Sequence, residues 1–282
     1  MEYLPWLATE VERNVLAALA EDIGGGDLTA LLTPASQRSQ GTVITREDAV
    51  LAGREWFDAC FRRLDPAAKI RWALNDGQHI AAGQTLCQID ANTRALLTAE
   101  RAALNFLQLL SATATTTRRY VDAIAGTRAA IVDTRKTIPG LRLAQKYAVT
   151  CGGGANHRLG LYDGILIKEN HIIAAGGVVP ALQRARAIAH DEVFIQIEVE
   201  TLGQLQEALN ADARMILLDN MGLEKMREAV ALTAGRAKLE ASGGVNLETV
   251  RSIAETGVDR ISIGSLTKDV RAVDLSLRHS EG

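Results

Sequence analysis

A chain of 282 residues has room for one large α/β domain with a smaller companion, or for two of medium size. Its formal net charge of −3 argues against a nucleic-acid binder, which carries a basic balance across its domain. The three cysteines, Cys60, Cys87 and Cys151, are odd in number and far apart, so neither a disulfide framework nor a Cys-x-x-Cys metal site is expected, and a reducing compartment is the simplest setting.

The opening MEYLPWLATEVERN lacks the basic flank and apolar run of a signal peptide. No uninterrupted apolar run approaches the ~18 residues of a membrane span. A soluble, cytoplasmic protein is expected. TEVERNVLAALA, from about Thr9 to Ala20, places Val11, Val15, Leu16 and Leu19 on one helical face. EDIGGGDLTA then breaks the helix; Asp22 to Asp27 reads as a glycine turn or as an acidic metal loop. From Gly41 to about Asp90 the pattern is strand-like. TVITRED alternates, and KIRWALNDGQHIAAGQTLCQID reads as strand, Asp-Gly turn and strand, with the helical EWFDACFRRL before it. His79 falls in a turn, as a surface histidine. From Thr93 to about Ala125 a long helix is expected, with a bend or break in the small and β-branched run Ser111 to Thr117. Arg101 reads from its spacing as an exposed helix arginine.

After Gly126 a unit repeats. Apolar runs at 129–133, 164–168, 194–200, 214–220, 238–244 and 260–265 alternate with helical segments such as LRLAQKYAVTC, VVPALQRARAIAH, LGQLQEALN, LEKMREAVALTA and LETVRSIAETG. Strand and helix alternating at this spacing imply right-handed βαβ units and a parallel sheet. Six strands are two short of a closed eight-stranded barrel, so an incomplete parallel α/β barrel is expected. The tail LSLRHSEG reads as a return across the N-terminal domain or as a frayed end.

The stretch Asp133 to His171 holds Arg135, Lys136, Arg142, Lys146, His157, Arg158 and Lys168 against only three acids, Asp133, Asp163 and Glu169. Arg135 and Lys136 end one apolar run, Lys168 ends another, and His157 and Arg158 follow the glycine-rich CGGGAN, which suits a concave site for a polyanion better than a solvated face. Arg135, Arg158 and Lys168 together could hold a dicarboxylate, with His157 adding a donor. In FIQIEVE, Gln196, Glu198 and Glu200 share one side of a strand, and Asp219 ends the next. Such a Glu and Asp could hold sugar hydroxyls directly or through Mg²⁺, or pair with the central lysines. ASGGV and IGSLT put Ser242, Gly243, Gly264 and Ser265 just beyond the last two strands, where backbone N–H groups can approach a phosphate.

DTRKTIPGLR, KYAVTCGGGANHRLGLYDGILIKENHI, EVE, LLDN, ASGG and GSLTK, in this order and spacing, resemble the quinolinate phosphoribosyltransferase family, and EDIGGGDLTA, VITRED and AERAALNFLQ extend the likeness over nearly the whole chain. The resemblance implies an N-terminal α/β sandwich domain over 1–113, with 270–282 packing on it, and an incomplete barrel over 114–269, assembled as a homodimer. It implies transfer of a phosphoribosyl group from phosphoribosyl pyrophosphate (PRPP) to quinolinate with loss of CO₂, and Mg²⁺ as cofactor. By the same resemblance Arg135, His157, Arg158 and Lys168 bind quinolinate, and Arg101 reaches the neighbouring subunit's site. Lys136, Glu198 and Asp219 serve PRPP, with Glu198 and Asp219 toward the metal, directly or through water. Ser242, Gly243 and Gly264 surround a phosphate with Lys268 nearby. Catalysis falls to Lys136, Lys168, Glu198 and Asp219. Other chemistries remain open to these residues: a Schiff-base aldolase using Lys168, a phosphoribosyltransferase taking nicotinate without decarboxylation, or a silent phosphate-binding barrel.

Overall fold

The computed structural model describes residues 6–281, so positions 1–5 and 282 of the expected domain ranges lie outside it. In chain order come α1 (Leu7–Ile23), β1 (Arg38–Thr45), β2 (Ala49–Val50), α2 (Arg54–Leu64), β3 (Lys69–Trp72), β4 (His79–Ile80), β5 (Thr85–Asn92) and α3 (Thr93–Ala123). Strand and helix then alternate through β6 (Ala130–Val132), α4 (Arg142–Cys151), β7 (Gly164–Ile167), α5 (Glu169–Ala175), α6 (Val178–Ile188), β8 (Phe194–Val199) and α7 (Leu202–Asn210). The chain continues with β9 (Met215–Asp219), α8 (Leu223–Thr233), β10 (Lys238–Ser242), α9 (Val250–Ala254), β11 (Arg260–Ser262), α10 (Ser265–Lys268) and β12 (Leu275–Glu281). It divides into two compact units: one gathers the chain up to Thr116, Ile138–Gly153 and the residues from Asp269 onward, the other Thr117–Thr137 and Gly154–Lys268.

The first unit is a sandwich of helices on an antiparallel sheet ordered β12-β1-β5-β3, with a two-stranded ribbon of β2 and β4. Trp56, Phe57 and Phe61 from α2 are fully buried in its core with Leu86 and Ile89 of β5; each such side chain contributes roughly 1.5–3 kcal/mol by leaving water. The tail does not fray: β12 pairs with β1 from Leu275 opposite Thr45 to Glu281 opposite Ser39. The Asp76-Gly77 turn leads not into a hairpin with β3 but into β4, because the Gly77 N–H donates to the Leu51 carbonyl and the Leu51 N–H to the Gln78 carbonyl, drawing the segment to β2. His79 is exposed there.

Two further expectations change for reasons of packing. The helix from Thr93 runs unbroken to Ala123. Ser111 and Thr115 are occupied in ways that leave the backbone ladder intact: Thr115 bonds back to the Ser111 carbonyl at 2.6 Å and accepts the Val50 N–H, and Ser111 takes the Ala52 N–H. The expected barrel range 114–269 is interrupted, since Ile138–Gly153 belongs to the first unit. α4 joins that core through Ala144, Tyr147, Ala148 and Cys151. The Tyr147 ring lies 5.4 Å from that of Trp56, and its hydroxyl donates to Asp76 at 2.7 Å.

The second unit is an incomplete barrel of six parallel strands in the order β6-β11-β10-β9-β8-β7. Consecutive strands β6 and β7 stand at opposite ends of that order, so the ring is open between them; Ala155 forms an isolated parallel bridge to Val132 of β6. Alternation sends Ile197, Val199, Ile216, Leu218, Leu239, Ala241 and Ile261 outward into a core shared with the helices. The opposite parity, Gln196, Glu198, Asp219, Glu240 and Ser242, faces the interior and the C-terminal mouth. α9 is shorter than LETVRSIAETG suggests, because Asn246 accepts the Glu248 and Thr249 N–H groups in a local turn first.

Candidate active site

In a parallel barrel the segments after each strand meet at one end, and the residues beyond β6 and β7 carry the cations there. Asp133 follows β6 and is fully buried; its carboxylate accepts the His157 backbone N–H at 2.8 Å and the Asn156 amide at 2.6 Å. A buried carboxylate so engaged anchors the loop after the glycine run, and with it Arg158. Asp163 ties the next turn by accepting the Leu159 and Gly160 N–H groups.

Arg135, Arg158 and Lys168 line one cavity of about 530 Å³ together with His171 and the backbone of β7. Among the described residues no Asp or Glu lines it. Arg158 donates to the Gly164 carbonyl at 3.0 Å, and burial together with the nearby Arg135 cation holds its guanidinium below its ordinary pKa, partly offset by Asp163. Nε of Arg135 is buried and meets no hydrogen-bond partner. Two adjacent guanidinium groups with donors to spare form a site that an anion relieves. Arg184 of α6 lines the same cavity; as a helix-surface arginine it gives no signal in the sequence.

His157 is nearly buried, and both ring nitrogens are engaged. Nδ1 accepts the Arg158 backbone N–H at 2.7 Å, so Nε2 carries the proton and donates to Oε1 of Gln196 at 2.6 Å. Gln196 in turn donates to Oε2 of Glu240 at 3.1 Å. The ring therefore shapes the loop that presents Arg158, and a direct bond to a ligand would require giving up one of these. Glu240, 1% exposed inside the barrel, is a member of this chain that the sequence reading missed. In KLEASGG it is indistinguishable from a strand-surface glutamate.

Lys168 caps α5, and its Nζ lies 3.3 Å from Oε2 of Glu198 on the neighbouring strand. Asp219 ends β9, the strand beside β8, two residues beyond Leu217, the register partner of Glu198, and opposite Ser242 of β10. Beyond Ser242, Gly243 has φ 102°, open to glycine and strained for other residues. Gly264 follows β11, and a Cβ there would meet Cδ of Lys136 at 2.9 Å, so the bare glycine lets the lysine stem cross it. The Lys136 carbonyl accepts the Thr267 hydroxyl at 2.7 Å, fixing the segment after β6 against α10, which carries Lys268. Thus Arg135, Lys136, His157, Arg158, Lys168, Glu198, Asp219, Ser242, Gly243, Gly264 and Lys268 all belong to the second unit. Arg101 belongs to the first, exposed on α3, where it lines a separate hollow of about 360 Å³ with Arg13, Asn105 and Gly140.

The acid pair suits a particular kind of ion. Among the described residues no group of three or more His, Cys, Asp or Glu is arranged to hold a metal. Two carboxylates at neighbouring strand ends, one already sharing an oxygen with Lys168, fit a cation that keeps water and takes phosphate oxygens from a substrate, as Mg²⁺ does.

Comparison with known proteins accords with this arrangement. Residues 27–111 match the N-terminal domain of quinolinate phosphoribosyl transferase and residues 113–278 its C-terminal domain. A chloroplastic carboxylating nicotinate-nucleotide pyrophosphorylase of Arabidopsis thaliana is 40% identical over 95% of this chain and 82% of its own. A mitochondrial decarboxylating quinolinate phosphoribosyltransferase of Nicotiana tabacum is 40% identical over 93% of this chain and 80% of its own. The nicotinate-nucleotide pyrophosphorylase structure from Francisella tularensis superposes with a TM-score of 0.94 at 43% identity, covering 99% of this chain and 98% of that one. The chain belongs to the quinolinate phosphoribosyl transferase family.

Proposed function

We propose that the mouth of the six-stranded barrel transfers a phosphoribosyl group from PRPP to quinolinate with decarboxylation, yielding nicotinate mononucleotide, pyrophosphate and CO₂, a step of NAD biosynthesis. The family membership carries the reaction. The observation that carries the site is the acid-free cavity shared by Arg135, Arg158 and Lys168. A planar aromatic diacid offers two carboxylates to such a set, and guanidinium forks bind carboxylates at two points each. His157 contributes by holding the Arg158 backbone. Lys136, Glu198 and Asp219 serve PRPP, while Ser242, Gly243 and Gly264 with Lys268 receive its phosphate.

The chemistry follows from charge. Both substrates are polyanions, and the cation set offsets their repulsion. The quinolinate ring nitrogen bonds to ribose C1 as the C1–O bond to pyrophosphate breaks, and Lys136 stabilises the departing negative charge. The nitrogen is then cationic, so when the C2–carboxylate bond breaks and CO₂ leaves, the electron pair at C2 is stabilised until it takes a proton. Mg²⁺, held by Glu198 and Asp219 directly or through water, would neutralise pyrophosphate charge when bound. The fixed geometry of the strand ends supplies orientation.

The same reading makes the enzyme a homodimer in which Arg101 of one subunit enters the site of the other, supported by its exposure on α3 in the first unit, whereas the remaining cations of the set are residues of the second. It assigns the enzyme to the cytoplasm, supported by three buried cysteines that are free; no helix among the described residues is long and apolar enough to cross a membrane. Incubation with quinolinate, PRPP and Mg²⁺ tests the function: CO₂ and pyrophosphate should appear in equal amounts. Pyrophosphate without CO₂, or nicotinate consumed in place of quinolinate, would reject it.

A further inference from the structure

Asn220, which ends the LLDN run, has no role in the assignments above. It follows Asp219 with φ 52°, in the left-handed region where few non-glycine residues sit and Asn is favoured. From there its Nδ2 donates to Oδ2 of Asp219 at 2.9 Å. Its backbone N–H bonds to the Ser242 carbonyl at 3.0 Å, carrying the β9–β10 ladder one residue past the Asp219–Ser242 pair. Its Oδ1 lies over Gly243, where an added Cβ would come within 2.0 Å of that oxygen and 2.8 Å of Cγ. One side chain therefore touches a carboxylate at the end of β9 and the glycine backbone at the end of β10.

We propose that Asn220 is a positioning residue for PRPP, locking the Asp219 carboxylate and the Gly243 loop into a single geometry. A carboxylate at a strand end is free to turn about its last torsion; tying one oxygen to the Asn220 amide aims the other. The packing of the same amide on Gly243 sets the distance between the group that meets the sugar or its metal and the backbone that meets the phosphate. Position 243 is glycine for this reason as well as for its φ, because any Cβ would displace Asn220 and free Asp219. The inference rests on the PRPP reading of Asp219 and Gly243.

Asn220→Gly is the discriminating variant, since it keeps the left-handed backbone without strain and deletes only the amide. KM for PRPP should rise about tenfold, the loss expected of one hydrogen bond to a charged group. KM for quinolinate should stay within twofold. Calorimetric affinity for PRPP with Mg²⁺, measured without quinolinate, should weaken by the same factor. Asn220→Asp also tolerates the backbone, lacks the donor and sets a second carboxylate against the first; it should show the same selective loss, and it reads the contrast if the glycine variant does not fold. PRPP affinity unchanged in the variant that folds, or equal rises in both KM values, overturns the proposal while leaving the function standing. A wild-type enzyme that releases no pyrophosphate from PRPP with quinolinate overturns both.

Discussion

Nζ of Lys168 and Oε2 of Glu198 stand 3.3 Å apart across the ends of two neighbouring strands. The pairing of Ile167 with Ile197 in register sets the next residue on each strand side by side. The lysine side chain is 53% exposed and the glutamate 13%, so water screens the pair from one side. Such a pair contributes about 0–1 kcal/mol, little enough for an incoming diacid to draw Lys168 away. Lys168→Met should therefore leave thermal stability nearly unchanged and raise KM for quinolinate tenfold or more. A large fall in melting temperature with a normal KM would make the lysine structural.

Arg135 has a buried Nε without a hydrogen-bond partner, so its removal should not unsettle the fold. Arg135→Ala is expected to weaken quinolinate binding by about 2–5 kcal/mol, the range for truncating one side of a desolvated charge pair. Titration calorimetry with quinolinate reads this directly; unchanged affinity would remove Arg135 from the site.

Gly264→Ala tests the close passage of Lys136. The added methyl would sit 2.9 Å from Cδ of that lysine, and a flexible stem can move aside. The variant should fold and melt like the wild type, with kcat reduced about tenfold or more because the lysine is displaced. Full kcat would mean that the Lys136 ammonium reaches its target by another path.

Shared sites predict complementation. Arg101→Ala and Lys168→Ala subunits, each inactive alone, should recover part of the wild-type activity after mixing and exchange, since one of the two sites in each mixed dimer is intact. Activity that stays at background after confirmed subunit exchange argues that each chain completes its own site.

Asp65 gives a pH signature unconnected with catalysis. The Asn92 and Ala67 N–H groups bond its carboxylate at 2.8 and 2.9 Å; the Asn92 bond first, then the Ala67 bond and the nearby Arg38 cation, hold its folded pKa below the ordinary value, against an opposing effect of burial. A depressed carboxyl contributes stability that is present above the unfolded value of about 3.9. That contribution is lost as pH falls through the folded value. Asp65→Asn should thus melt below the wild type at pH 7, and the gap should narrow below about pH 4. A gap constant with pH would mean the aspartate acts through shape alone.

Much of this enzyme is written locally. Six short apolar runs alternating with amphipathic segments are enough for a parallel sheet, because a strand followed by a helix can return to the same sheet in one hand only. The positive charge between Asp133 and His171 is equally legible, since Arg and Lys at the ends of apolar runs have few structural uses. Other features depend on partners far away in the chain. α4 resembles its neighbours in sequence yet joins the first unit, because Tyr147 finds Trp56 and Asp76 there. β12 becomes a strand only by pairing with β1. Glu240 is separated by 44 positions from Gln196, its hydrogen-bond donor, and nothing in KLEAS distinguishes a carboxylate facing the barrel interior from one facing water. The left-handed turn at Asn220 is likewise hidden, since it exists only where the ends of β9 and β10 come together. Composition and periodicity fix what each segment prefers alone, whereas strand register decides which side chains meet, and the chemistry of this site depends on those meetings.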